Sequence, residues 1–294
     1  MPRTQIIGHL AMLSLSFLVA GSFSLGSTIA HLAPPDALTA LRFSAGAILM
    51  GSIAVFSGKV KADHFKRGWR FLPLGGLFSI YFVTMFEALK ITLPVSTSAV
   101  FTLAPPLTAI FSYFILSQVS TKRISIALII GAIGALWVIF RAELSAFLNF
   151  NIGKGEAIFI IGVMAHALYT PLFRKLSKGD PVIVSTFGVM LGGALVLWAF
   201  SFNNIVATNW SSLPVSFWLV FIYLVIAASS LTFFLLQFAA LRLPSAKVMA
   251  YTYLVPSWVI FWEFARGNGL PDIKILIGIA ITTISLIMLL KNED

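Results

Sequence analysis

The chain has no cysteine, so neither a disulfide framework nor a thiolate site is open to it. Charge is scarce as well: 10% of the 294 residues are Asp, Glu, Lys or Arg, against roughly 25% in an ordinary soluble domain. Long polar segments are missing, which leaves no room for a soluble catalytic or nucleotide-binding domain. No phosphate-binding glycine loop, H-E-x-x-H metal motif or G-x-S-G nucleophile turn occurs. What fills the space is apolar: 59% of residues are hydrophobic and 27 are phenylalanine. A soluble chain of this length could not bury so much apolar surface, so the solvent is lipid.

The formal charge of +10 does not indicate nucleic acid. The basic residues form short clusters between apolar stretches, with no continuous stripe. The expected partners are a small-molecule solute and membrane lipid, with no nucleic acid, no nucleotide and no cofactor. The apolar stretch from Ile6 to Ala30 follows Arg3, exceeds a signal-peptide core and lacks a small-residue cleavage site, so it reads as a first transmembrane helix.

Proline, glycine and charge divide the chain into ten candidate spans, near 6–30, 36–56, 71–91, 95–116, 124–140, 155–175, 181–200, 214–240, 244–264 and 272–290. The runs are too long, and too unalternating, for barrel strands. With the N-terminus inside, 14 basic residues fall on the cytoplasmic side; Lys90, Arg141, Lys154, Arg266 and Lys274 make 5 on the other. That bias predicts an even number of spans and both termini cytoplasmic.

The sequence also repeats itself. Ala88-Leu89-Lys90 returns as Ala240-Leu241-Arg242 at an offset of 152, and Pro105 returns as Pro256 at 151. Leu32, Asp36 and Phe43 match Leu176, Asp180 and Phe187 at 144. Two halves are expected, 1–142 and 150–294, each of five spans. An odd number of spans makes the second half enter the membrane from the opposite side, an inverted repeat of the kind secondary transporters use. The fold class expected is therefore all-α, integral to the membrane, ten helices in a 5+5 inverted repeat.

The repeat residues resemble the drug/metabolite transporter superfamily, specifically its ten-helix EamA-type members. The resemblance rests on Ala20-Gly21-Ser22-Phe23 in span one, on Pro35 before Arg42-Phe43, and on Ala167-Leu168-Tyr169 before Arg174-Lys175. It rests equally on the two Ala-Leu-basic triplets, each followed by its proline. Ala20 stands where the family often has tryptophan, which removes one cavity aromatic. The resemblance implies a carrier of small organic solutes in a bacterial inner membrane, commonly an exporter of amino acids or related metabolites. It further implies a cavity lined by spans one, three, four, six, eight and nine, with five and ten peripheral. The family's aromatic amino-acid exporters are the natural first comparison.

Ionisable groups inside spans are functional candidates. Arg42 in span two and Glu87 near the end of span three are expected at similar depth, either as an ion pair joining two helices or as a charged outer gate or solute anchor. His166, mid-span in helix six, is either a packing residue or a cavity group that meets solute or protons. Tyr81, Met85, Phe101, Thr102, Tyr169, Gln237 and Tyr253 complete the candidate solute-binding set: they fall in the spans that the resemblance implies line the cavity, several lie near the repeat motifs, and the hydroxyl, amide and sulfur atoms among them are hard to leave in lipid. Pro105 and Pro256 are candidate hinges. Trp69, Trp137, Trp198, Trp210, Trp218 and Trp262 fall near span ends as an interface belt.

Two rival classes remain. An intramembrane enzyme has only the short His31-to-Asp36 match to an acyltransferase motif in its favour, across a turn with two prolines. A passive channel or scaffold shares the composition, but an inverted repeat favours alternating access.

Overall fold

A computed structural model describes residues 3–140 and 152–290; the expected junction between the halves, Arg141 and Lys291 lie outside the described residues. Every regular element among the described residues is helical. The α-helices are α1 (Arg3–Ile29), α2 (Pro35–Phe56), α3 (Phe71–Leu89), α4 (Pro94–Phe101), α5 (Ala104–Leu116), α6 (Lys122–Ile139) and α7 (Lys154–Leu176). They continue with α8 (Val182–Ala207), α9 (Val215–Val225), α10 (Thr232–Ala240), α11 (Ser245–Ala250), α12 (Val255–Ala265) and α13 (Ile273–Leu290). A π-helical segment, Ile226–Leu231, joins α9 to α10, and a 3-10 turn, Tyr251–Leu254, joins α11 to α12.

Eight helical stretches among the described residues are long and apolar enough to cross a membrane, and a shorter apolar helix covers Ile273–Leu289. The protein is a multi-pass membrane protein. The stretch expected as span nine, 244–264, is built from α11, the 3-10 turn and α12, none of which alone reaches spanning length. The outward residues of the bundle suit lipid: Phe56, Phe114 and Phe200 are 90%, 76% and 87% exposed. Such a belt in water would drive aggregation, whereas acyl chains solvate it.

Local chemistry sets the helix ends. Pro35, Pro94, Pro105 and Pro256 each sit in the first turn of α2, α4, α5 and α12. There the absent N–H is no loss and the fixed φ already suits a helix. Gly58 ends the run after α2 with φ 65°, a conformation that suits a residue without Cβ.

Helices from the two ends of the chain interleave. α2 lies antiparallel to α8: Asn204 donates to Asp36 at 2.6 Å near one end, and Gly51 faces the Phe187 ring near the other. α6 pairs with α13 in the same sense, through Arg123 to the Met288 carbonyl at 2.6 Å and Trp137 to the Lys274 carbonyl at 2.9 Å. α3 packs on α7 and α8, and α1 packs on α10 and α12. Where α3 crosses α8, a Cβ on Gly75 would lie 2.1 Å from the backbone nitrogen of Gly193. Only glycine permits that approach, as in other small-residue helix crossings in lipid.

Candidate functional site

The helix period aligns Phe78, Tyr81, Phe82 and Met85 of α3 towards the bundle interior, all at most 4% exposed. They meet Phe101 of α4, Phe159, His166 and Tyr169 of α7, and Phe233 and Gln237 of α10. Phe78 stacks on Phe233 with ring centroids 3.9 Å apart and meets Tyr169 at 4.2 Å. His166 lies 4.6 Å from the Tyr81 ring and 4.9 Å from the Phe101 ring. Offset and edge contacts of this kind hold an aromatic cluster beyond its simple burial.

Polar atoms thread this cluster. Gln237 donates to the Tyr169 hydroxyl at 3.0 Å and accepts from Thr186 of α8 at 3.2 Å. By contrast the Tyr81 hydroxyl and His166 Nδ1 are buried without a hydrogen-bond partner. Both residues wall a cavity of about 20 Å³, shared with Leu15, Val19, Phe78, Phe82, Thr232, Phe233 and Leu236. That is room for on the order of one water molecule.

Arg42 enters the same region from α2 and is fully buried. Its Nε donates to Ser229 Oγ, its Nη2 to the Ala228 carbonyl at 2.8 Å, and its guanidinium lies 3.9 Å from the centroid of the Phe82 ring. Ala228 and Ser229 belong to the π segment. A π turn departs from the regular i→i−4 ladder, and here it presents acceptors to the arginine. Arg42 Nη1 has no partner.

The Arg42–Glu87 ion pair expected from the sequence does not form. Arg42 turns along the bundle interior to the π segment, while Glu87, at the end of α3, binds Lys90 one turn on at 2.9 Å. Glu87 and Lys90 instead wall an open cleft of about 520 Å³ with His31, Asp36 and Asn204. Tyr253 does not join the cluster either: it packs with Leu128, Ala250 and Leu286 against α6 and α13 and donates to the Leu128 carbonyl at 3.4 Å. Thr102 sits in the break between α4 and α5 and bonds back to the Ala99 carbonyl at 2.6 Å. Met85 is buried against Ser22 of α1, with 3.9 Å between oxygen and sulfur.

Pro105 and Pro256 mark matching discontinuities. α4 stops at Phe101, four residues before Pro105, and the helix before Pro256 tightens to a 3-10 turn from Tyr251. Proline clashes with the carbonyl four residues back, so the regular ladder gives way there in both places.

Sequence reasoning missed Phe78, Phe82, Phe233, Ser229 and Thr186. The phenylalanines were hidden by their own abundance. Thr186 carried a usable signal, since it stands 144 residues after Arg42, at the repeat offset. Among the described residues no three His, Asp or Glu side chains converge to hold a metal.

A solved crystal structure of a protein superposes with a TM-score of 0.73, covering 98% of this chain and 97% of its own at 20% identity, which supports the fold. The "Uncharacterized transporter YyaM" of Bacillus subtilis (strain 168) is 24% identical over 272 residues, 91% of this chain and 88% of that protein. The EamA-like transporter family matches residues 6–140 and again residues 153–291, and the chain belongs to that family.

Proposed function

We propose that the protein is a secondary carrier that exports small, partly apolar organic solutes, amino acids or related metabolites, by alternating access. It works in a bacterial inner membrane with both termini cytoplasmic. Its ten spans form two five-helix halves, inverted with respect to each other, with α4–α5 as span four, α9–α10 as span eight and α11–α12 as span nine.

The observation that carries this reading is a symmetry in the helix contacts. Exchange each span with the one five places on. The pairs α2·α8 and α6·α13 then map onto themselves, α3·α7 maps onto α10·α1, and α5·α7 maps onto α12·α1. The double match of the family on 6–140 and 153–291 supports the same division. Two related packings about an in-plane axis give two states of comparable energy, open to opposite sides.

The solute site is the central cluster, walled by Tyr81, Met85, Phe101, His166, Tyr169 and Gln237. A cavity of about 20 Å³ is too small for an amino acid, so admitting the solute requires the side chains around it to part. Glu87 with Lys90 serves as an outer gate at the open cleft. The break residues Pro105 and Pro256 serve as hinges.

A panel of radiolabelled amino acids and related metabolites in proteoliposomes tests the reading. A carrier gives flux that saturates and is accelerated by solute on the far side. Linear, voltage-gated conductance would instead support the channel reading.

A further inference from the structure

Arg42 is a fully buried cation with no carboxylate of its own. Among the described residues every carboxylate is engaged elsewhere. Asp180 binds Arg70, Glu263 binds Arg266, Glu87 binds Lys90 and the buried Glu156 takes Thr92 at 3.4 Å. The others, all exposed or half-buried, bond to Lys66, Asn204 and a backbone amide. A buried charge without a counter-charge is strongly unfavourable, more so where the surroundings are hydrocarbon. Two neutral acceptors and a ring face are what the protein itself offers it.

Three buried polar atoms in one neighbourhood are also left without partners: Arg42 Nη1, Tyr81 Oη and His166 Nδ1. Phe82 connects them. Its ring carries the guanidinium at 3.9 Å, lies 4.7 Å from the Tyr81 ring and walls the small cavity that Tyr81 and His166 share. Buried groups of this kind are ordinarily satisfied, so a set of three together marks a place where something else supplies the partner.

Resting on the carrier reading, we infer that Arg42 is the solute's carboxylate anchor and that the solute class is a carboxylic acid with a flat apolar body. The acid's oxygens take Arg42 Nη1 and the Tyr81 hydroxyl, a charge-assisted pairing that offsets the buried cation. The apolar body replaces ring contacts among Phe78, Phe82 and Phe233, and Phe82 turns aside to admit it. Among the described residues no acidic side chain is present in the cluster to hold an ammonium group. A ring face can accept one but does not require it. The carboxylate is therefore the recognised group and an α-amino group is dispensable.

The test uses the purified full-length protein and four matched probes: L-phenylalanine, 3-phenylpropanoate, 3-phenylpropanamide and 2-phenylethylamine. Ligand-induced thermal stabilisation is measured across a concentration series for each. The two acids are expected to stabilise the protein with similar affinity, and the amide and amine to bind at least tenfold more weakly. Arg42→Gln is expected to weaken the acids by roughly tenfold or more. Tyr81→Phe, which removes an oxygen without a hydrogen-bond partner in the protein, is expected to weaken them severalfold even if the arginine variant fails to fold. The inference is overturned if the amide or amine matches the acids, if no acid binds, or if affinity survives both substitutions. Counterflow of radiolabelled amino acids separates this outcome from the broader reading. Saturable, trans-stimulated flux with an indifferent Arg42 sinks the anchor alone, and acid binding without such flux sinks the carrier alone.

Discussion

Arg70 donates from Nη2 to Asp180 Oδ2 at 2.6 Å, and both side chains are almost out of solvent, at 5% and 6% exposure. The same guanidinium reaches the Leu176 carbonyl at 3.3 Å and the His64 carbonyl at 3.2 Å. One side chain thus ties the turn before α3 to the turn before α8. Removing the partner of a buried charge is far more damaging than losing a surface pair. Asp180→Asn is therefore expected to destabilise the protein by about 3–5 kcal/mol in thermal unfolding. Lys66→Ala, which breaks the exposed pair with Asp63, is expected to leave the melting temperature where it was. Equal effects from the two would contradict the assignment.

The crossing of α3 and α8 makes a sharper comparison between adjacent residues. Gly75 has the backbone of Gly193 where its Cβ would stand, whereas nothing lies within 4 Å of a Cβ on Gly76. Gly75→Ala must push two helix backbones apart and is expected to destabilise by about 1–3 kcal/mol, in the range of overpacked cores. Gly76→Ala gains helix propensity and is expected to be neutral or stabilising. A stability scan of the two variants decides it; reversed signs would mean that the helices do not cross there.

Much of this was legible in the sequence, for physical reasons. Hydropathy and proline spacing located the helical stretches because lipid requires length and apolarity of each one. Tyr81, His166, Tyr169 and Gln237 stood out because polar atoms in a span need an inward place, and all four are buried. The π segment was not legible, since Ile226–Leu231 reads as ordinary apolar helix and its register follows from tertiary contacts. Arg42 stood out as an ionisable group inside a span, but its partners lie 186 and 187 residues away and include a backbone carbonyl, which no side-chain pattern announces. Tyr253 misled because its hydroxyl finds its partner on α6, at the edge of the bundle.

Sidedness can be read directly, since the chain has no cysteine to interfere. Lys61→Cys and Lys178→Cys are expected to react with a membrane-impermeant maleimide from the cytoplasmic side only. Asn209→Cys and Asn268→Cys are expected to react from the opposite side only. If any one of the four reacts from the wrong face, the positive-inside orientation is incorrect for that loop.

Pro105 and Pro256 are expected to act on the rate of conversion between states and not on solute recognition. Pro105→Ala and Pro256→Ala restore a backbone donor at each break and so favour a continuous helix. Both variants should slow exchange of solute across the membrane while leaving solute affinity within a factor of two or so of the parent. Unchanged exchange in both variants would remove the hinge assignment.

Alternating access itself is tested most directly at Thr232, a buried residue that walls the central cavity. A single Thr232→Cys in the otherwise cysteine-free chain is placed in sealed vesicles and exposed to an impermeant maleimide, from one side and then, in a separate preparation, from the other. The account predicts modification from either face, slowed by bound solute, with no passage of the reagent through the membrane. Modification from one face alone under every condition, or leakage of reagent across the bilayer, would contradict it.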